Sequence, residues 1–555
     1  MKLNKLFGII GSVHVPSSLI AAQAGTDGGS PAEKRLEWLR SQLIGRDLQF
    51  DTCFGKRLLT YADHTASGRC LRYIEEYITQ QVLPFYGNSH TSDSSCGEKT
   101  TRMVHEAREY IRRCVGACPE DALIFCGSGA TAAIKRLQEV MGIAVPANLR
   151  SQVIENLREE ERWVVFVGPF EHHSNLLSWR QSIAEVVEIG IDADGLVDME
   201  ALELQLASMK YSNRPKLGSF SACSNVTGII ADTRALSRLL HKYGAYACFD
   251  FATSGPYVEI DMRSREEEGY DAIFLSPHKF PGGPGSPGIL VMHEALYKLR
   301  SFPPSTCGGG VVAYVNGFNA KDTVYYNDIE ERERMRNAAD NPRNSGSVGF
   351  WVKETVGYEP IDLRDNLHED GNGAASAKPL HPSSWKSKSK EASYPLLLGV
   401  FWRGGCAVFG PYGHRLLGVE ESLSLHIRSL IEKGYNGLKP GWTRVSFAYY
   451  LTKEEFAFIL DAIEFIASYG HRFLSLYHLD WMTGDWTINR RALGHHLLRK
   501  ESLVWLKDGH RKKKSHSWFG SYMKDAQRIA RSLPSILNPV CIPDGVDPNL
   551  VLFKI

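Results

Sequence analysis

Ser276-Pro277-His278-Lys279-Phe280-Pro281-Gly282-Gly283-Pro284-Gly285-Ser286-Pro287-Gly288 is the stretch on which the fold turns. Apolar runs flank it on both sides, Ala272-Ile273-Phe274-Leu275 before and Ile289-Leu290-Val291-Met292 after, so it reads as a loop joining two buried strands. A Gly-rich joint lets backbone come close to a ligand. A Lys shielded from water at such a joint loses its proton easily enough to attack a carbonyl carbon. The bland alternative is a surface hairpin with a solvated Lys, and the rest of the chain decides between the two.

Working outward, apolar strands alternate with helices. Ala122-Leu123-Ile124-Phe125 runs into Cys126-Gly127-Ser128-Gly129-Ala130-Thr131 and a helix through Met141. Trp163 to Val167 ends at Glu171-His172-His173-Ser174-Asn175, and Leu217 to Ala222 ends at Ser224-Asn225-Val226-Thr227-Gly228. A helix from Thr233 to Tyr243 closes on Gly244, and Ala245 to Phe249 ends at Asp250. Continuous apolar strands separated by helices predict an α/β fold, a mostly parallel sheet covered on both faces. Ligands of open α/β sheets bind at the C-terminal strand ends, where Gly-Ser-Gly-Ala-Thr, His-His, Asn, Asp and His-Lys would share one rim.

The flanking regions are less regular. Residues 1–45 read as a leader, in which Lys2 and Lys5 precede a short apolar run and Ala22-Gln23-Ala24 resembles a cleavage site, followed by a short helix from Ala32. Leu58 to Tyr61 suggests a strand entering the turn Asp63-His64-Thr65-Ala66-Ser67-Gly68. Residues 46–300 would form the large domain, 301–475 a small one with a flexible Gly, Ser and Lys-rich insertion near 366–393, and 476–555 a C-terminal extension. Glu330 to Arg336 is a charged stretch. Arg444 to Ala448 suggests a strand, and Thr452 opens a helix that Gly470 would end.

At 555 residues, 43% hydrophobic and 23% charged, the chain has the composition of a soluble multidomain protein. A net charge of +1 gives no reason to expect nucleic acid as a partner, and no run is long enough to span a bilayer. Arg511-Lys512-Lys513-Lys514 is read as a solvated loop. Eleven Cys residues show no metal-ligand pairing; Cys114 and Cys118 have the spacing of one helical face, with no second pair beside them. A cytoplasmic location is expected, with organellar import or secretion left open by the leader.

In that order, the motifs resemble the class V aminotransferases. These are pyridoxal-phosphate enzymes of fold type I, among them cysteine desulfurases, the sulfurase domain of molybdenum cofactor sulfurases and isopenicillin-N-epimerase-like proteins. The resemblance covers roughly Leu59 to Gly470. It implies a fold type I transferase, with a large domain holding pyridoxal 5'-phosphate and a smaller α/β C-terminal domain. It also implies an internal aldimine at Lys279, which would serve as acid and base at the substrate Cα. Asp250 would pair with the pyridinium nitrogen, His172 would stack on the ring and Asn225 would donate to the phenolate oxygen. Ala130, Thr131, Ser276 and His278 would cradle the phosphate at a helix N-terminus. Arg444, or Arg403, would bind the substrate carboxylate.

Departures from the family pattern are equally specific. Val408 stands where the desulfurases carry their nucleophilic Cys, with Cys406 two residues earlier. Thr253 replaces a Gln common beside the ring oxygen, and the Gly-Thr turn that reaches the phosphate from a partner subunit has no counterpart in Met335 to Pro342. Little regular structure is expected between Val356 and Phe401. The resemblance implies a homodimeric pyridoxal-phosphate-dependent enzyme acting on a small-molecule amino acid substrate, with transamination, elimination, epimerisation and desulfuration all open. The alternatives are a desulfurase-like sulfur transferase and a cofactor-binding scaffold without turnover.

Overall fold

A computed structural model describes residues 31–89, 94–263, 266–319, 322–334, 341–342, 398–401, 403–405, 411–489, 516–534 and 542–551. The leader before residue 31, most of Met335 to Pro342, the 366–393 insertion, Cys406, Val408 and the Arg511 to Lys514 run lie outside these residues. The chain divides into two compact units, 1–44 with 65–359, and 45–64 with 360–555. By sequence alone the boundaries fall at 45, 300 and 475.

The first unit holds the sheet. Its strands are β1 (Ala122–Cys126), β2 (Val164–Val167), β3 (Glu185–Glu188), β4 (Lys216–Ser221), β5 (Ala245–Asp250), β6 (Ala272–Leu275) and β7 (Gly288–Met292). They lie in the spatial order β1-β7-β6-β5-β4-β2-β3. Neighbours from β6 to β3 pair in parallel, whereas β7 is antiparallel to both β6 and β1. The sheet is therefore mostly parallel, as the alternation predicts. Strands β1, β2, β4, β6 and β7 are buried at every position, as expected when both faces are covered. The edge strand β3, Glu185-Val186-Val187-Glu188, gave no apolar run to notice.

Helices α1 (Gly129–Val140), α2 (His173–Gln181), α3 (Met199–Leu206) and α4 (Thr233–Lys242) connect the strands. Asp198 and Asp232 cap α3 and α4, accepting from the backbone N–H of Ala201 and Ala235. α4 ends before Gly244, whose φ of +67° is the left-handed stop expected of it. Ala133, Ile134, Leu137 and Val140 of α1 pack with Ile124, Val165, Phe274 and Leu290 of the sheet in one apolar cluster.

One expectation needs correction in this unit. The helix before β1 spans Ser95–Cys114 and ends there, so Cys118 lies beyond it and shares no helical face with Cys114. In the charged stretch from Glu330, Arg332 to Arg334 are buried and Glu330 and Glu331 are half-buried. Glu330 takes Arg108 and Arg112 as ion-pair partners and accepts the Leu123 N–H at 2.7 Å, while Glu333 holds Arg136 and accepts from Tyr297 Oη at 2.8 Å. Buried charges of both signs in one network satisfy each other where single ones would be expelled.

In the second unit, the helix Lys453–Phe473 opens on a capping box between Thr452 and Glu455. Gly470 lies inside this helix, which runs on to Phe473, so it is not the stop expected from sequence. The helix His516–Ser532 packs its Tyr522 and Ala526 into the same apolar cluster as Phe458 and Ile459. The C-terminal residues thus belong to this unit's core. The strand Trp442–Arg444 stops at Arg444, and Ser446 N–H donates instead to Ala62 O at 2.7 Å.

Gly-rich composition around Lys279 has a steric cause. A Cβ on Gly283 would lie 1.8 Å from Pro277 O, and one on Gly288 would lie 2.0 Å from Gly129 O. Gly288→Ala should therefore destabilise the chain by about 3 kcal/mol, since neither backbone can retreat without breaking the β1/β7 ladder. Gly308→Ala, with nothing within 4 Å, should stay within about 0.5 kcal/mol. Urea unfolding midpoints of the two variants against the parent check this, and equal midpoints would contradict it.

Candidate active site

Register brings the expected residues to one rim. Ser221 pairs with Asp250 across β4 and β5, and Asp250 pairs with Phe274 across β5 and β6, so the turn after β6 leaves the sheet beside Asp250. That turn, Pro277–Lys279, is a single tight helical turn in which Lys279 N–H donates to Ser276 O at 2.9 Å. The segment before residue 69 closes over it. Gly68 N–H donates to His278 O at 3.0 Å, and a Cβ on Gly68 would lie 2.0 Å from Phe280 O. Gly282, at φ +78°, donates to Arg69 O at 2.7 Å. Lys279 is half-buried in this setting, which rules out the solvated hairpin.

The start of α1 meets the same turn. Ser276 Oγ accepts the Ala130 N–H at 2.8 Å, and Gly129 has a φ of +59°. A side chain at Gly129 would sit 2.8 Å from His278 Cε1 and 3.0 Å from Ser276 Oγ. Thr131 Oγ1 lies 2.6 Å from Ser174 Oγ, which lies 3.0 Å from His172 Nδ1. His172 caps α2 by accepting the Ser174 N–H at 3.2 Å. Ala130, Thr131, His172, Ser276 and His278 are thereby joined through Ser174 and the Lys279 turn.

Over residues 60–333, the sequence matches the model of the family described as aminotransferase class-V. These residues belong to the aminotransferase class-V family. Members of the family are pyridoxal-phosphate-dependent enzymes. Among curated relatives, this chain is 27% identical over 316 residues to a probable cysteine desulfurase of Halalkalibacterium halodurans, covering 56% of this chain and 70% of that one. It is 24% identical over 258 residues to a probable cysteine desulfurase of Streptomyces coelicolor, covering 46% of this chain and 58% of the other. The match thus spans between 58% and 70% of these relatives' length. The apo cysteine desulfurase of Thermococcus onnurineus shares the fold at a TM-score of 0.55 and 18% identity, covering 78% of this chain and 98% of that one. A cysteine desulfurase of Escherichia coli superposes at 0.53 and 19% identity, with coverage of 78% and 98%. The fold is that of the fold type I enzymes.

The class-V rim suits pyridoxal 5'-phosphate on two observations. The space that a Gly129 Cβ would fill is bordered by Ser276 Oγ and the His278 imidazole, at the N-terminus of a 12-residue helix, where backbone N–H groups favour a phosphate. Asp250 is buried with one backbone donor, Ala252 N–H at 2.8 Å. Burial raises its pKa, offset by that hydrogen bond and by the Lys279 charge, so a protonated ring nitrogen is the kind of partner that would hold it ionised.

Lys279 also bears on its other neighbours. Burial, with the Lys279 charge second, pushes the His278 imidazole down to about 4, so it is neutral at pH 7. Burial pushes the Cys223 thiol up to about 11 against the opposing pull of Lys279, which keeps it protonated. Asn225 is buried at the end of the β4 segment, and Thr253 lies half-buried three residues after Asp250.

Arg444 and Arg403 belong to the second unit and fall outside the matched stretch. They face each other across the short antiparallel ladder of Arg403–Gly405 with Trp442–Arg444. Arg444 Nη2 donates to Asp63 Oδ1 at 3.1 Å. Glu171, Ser174 and Asn175 were not singled out from sequence, although they flank His172; only the fold shows that Glu171 is buried among Ser221 and Asn175. Among the described residues, no group of three or more His, Cys, Asp or Glu could hold a metal ion, and no helix is long and apolar enough to cross a membrane.

The His278 shift has a stability consequence. A base whose folded pKa is depressed adds stability that is complete above its unfolded value, near 6.5, and is lost as pH falls toward about 4. Between pH 7 and pH 4 the parent should lose up to about 3 kcal/mol more than His278→Asn. Denaturant unfolding at several pH values measures the difference, and parallel curves for the two proteins would contradict the assignment.

Proposed function

We propose that this chain is a pyridoxal-phosphate-dependent enzyme acting on a small amino acid. The reading rests chiefly on one observation: a shielded amine at Lys279 whose charge bears on a buried carboxylate at Asp250, beside a helix N-terminus with room for a phosphate. The cofactor, when bound, supplies an electron sink that acidifies the substrate Cα. Lys279 would hold the cofactor's aldehyde carbon and move the proton at Cα. Asp250 would keep a proton on the ring nitrogen, and Asn225 would donate to the ring oxygen, near Thr253. His172 would lie against the ring and orient it. Ala130 N–H, Thr131, Ser276 and His278 would bind the phosphate. Arg444 or Arg403 would bind the substrate carboxylate as a guanidinium fork.

We propose a homodimer, as the family resemblance implies. A cytoplasmic location follows from composition and cysteine usage alone. The printed names of the relatives favour a second reading, a cysteine desulfurase-like sulfur transferase. Against it stands the chemistry of the thiol on which the Lys279 charge bears: burial raises Cys223 above its ordinary value, so it is not a ready nucleophile. Cys406 is the remaining candidate by sequence position. A scaffold that binds the cofactor without turnover would keep Lys279 and Asp250 as well, so spectral change with an amino acid is what separates it from an enzyme.

Pyridoxal 5'-phosphate added to the purified chain should give a visible absorbance band that borohydride traps covalently, and Lys279→Ala should lose both. A trapped cofactor in Lys279→Ala would overturn the assignment. A panel of amino acids scored by change in that band reports the substrate class, with Arg444→Ala raising the apparent KM at least tenfold for the best substrate. Sulfide release from cysteine that is abolished in Cys406→Ala would select the transferase reading, and its absence from the parent would remove it.

A further inference from the structure

We propose that Glu171 is a positioning residue for the cofactor site, tying the first turn of α2, which carries His172, to the end of β4, where Ser221 stands in register with Asp250. The inference rests on the cofactor reading above and adds to it a residue that makes no cofactor contact.

Three observations carry it. Glu171 directly precedes His172, and its carboxyl reaches across to β4. Oε1 accepts the Ser221 N–H at 2.8 Å, and Oε2 accepts Ser221 Oγ at 2.8 Å together with Asn175 Nδ2. Asn175 in turn donates its backbone N–H to His172 O at 2.8 Å, so its main chain closes the His172 turn while its side chain holds the acid. Asn175 Oδ1 accepts from Trp179 Nε1 at 2.9 Å and Ser219 Oγ at 2.6 Å, which anchors the pair in the core. Finally, space is reserved for the carboxyl: a Cβ on Gly168 would lie 2.9 Å from Glu171 Oε1. A buried carboxyl with three donors and a glycine cut away beside it is a built feature of the fold.

Its ionisation is coupled to the rim. The charged group bearing on it is Asp250 from β5, beyond which lies Lys279 on the turn after β6. From β4 it meets Ser221 and from α2 it meets Asn175, both uncharged, and His172 is its neighbour in the chain. Burial, with Asp250 adding repulsion, pushes Glu171 up to about 7. Repulsion from Asp250 adds to the burial, so ionising one of the two carboxyls disfavours ionising the other. An acid with a raised folded pKa adds stability present below its unfolded value near 4.3 and lost as pH rises through about 7.

The test uses the full chain with and without pyridoxal 5'-phosphate, in the parent, Glu171→Gln, Glu171→Ala and Ser221→Ala. Gln keeps the shape and one acceptor but cannot ionise. Without cofactor, the parent's thermal midpoint should fall between pH 5 and pH 8, and that of Glu171→Gln should change less. With cofactor, the parent's absorbance band should show an inflection near pH 7 that Glu171→Gln lacks and Ser221→Ala displaces. At pH 6, Glu171→Gln should hold the cofactor within about threefold of the parent, whereas Glu171→Ala loses at least tenfold. Should Glu171→Ala not fold, the Gln and Ser221→Ala titrations decide alone. A parent that binds no cofactor defeats the functional reading; a parent that binds it with a pH titration identical to that of Glu171→Gln defeats only this one.

Discussion

Close backbone approach is the constraint on which the site depends. The Lys279 turn is met by the 65–69 segment, by the first turn of α1 and by its own continuation into β7. At each meeting a glycine stands where a side chain would strike a carbonyl oxygen or a ring, at Gly68, Gly129, Gly283 and Gly288. Packing of this kind leaves the turn no alternative path, because backbone can neither rotate away nor change rotamer. An amine that ordinarily swings on four methylenes is thereby launched from a stationary point, and a stationary point is what covalent chemistry at a fixed distance requires.

Charge then organises what the backbone has gathered. Lys279 supports the ionised form of Asp250, helps keep His278 neutral and pulls against the burial that holds Cys223 as a thiol. One cation in a low-dielectric rim thus biases three titratable neighbours at once. Glu171 is governed mainly by its own burial, with Asp250 as the charge that bears on it.

The second unit shows a different economy. Arg444 is paired with Asp63, and Tyr450 Oη lies 3.1 Å from His64 Nδ1, so the residues just before the division between units are tied to the ladder that carries both arginines. A guanidinium already matched to one carboxylate is held in orientation and retains further donors for another.

Much of the fold was legible because buried parallel strands write themselves as unbroken apolar runs, and caps such as Asp232 with Gly244 mark a helix at both ends. The site was legible as a set of strand-end motifs, and the family resemblance rested on their order. What could not be read was anything that depends on which groups end up far from water. Glu171 is one acid among 63 Asp and Glu until the fold buries it, and Glu330 and Glu333 are only part of a charged stretch until Arg108, Arg112 and Arg136 pair with them. β3 has no apolar signature because its two Glu residues flank only two apolar ones and none of the four is buried, and Gly470 resembles a stop although the helix runs on through it to Phe473. The order of residues alone therefore determined the alternation, the strand ends and the chemical types gathered there. Tertiary structure decided which of those groups are dry, which carboxyl faces which cation, and where β7 inserts, because burial and long-range pairing are properties of distances that no local pattern records.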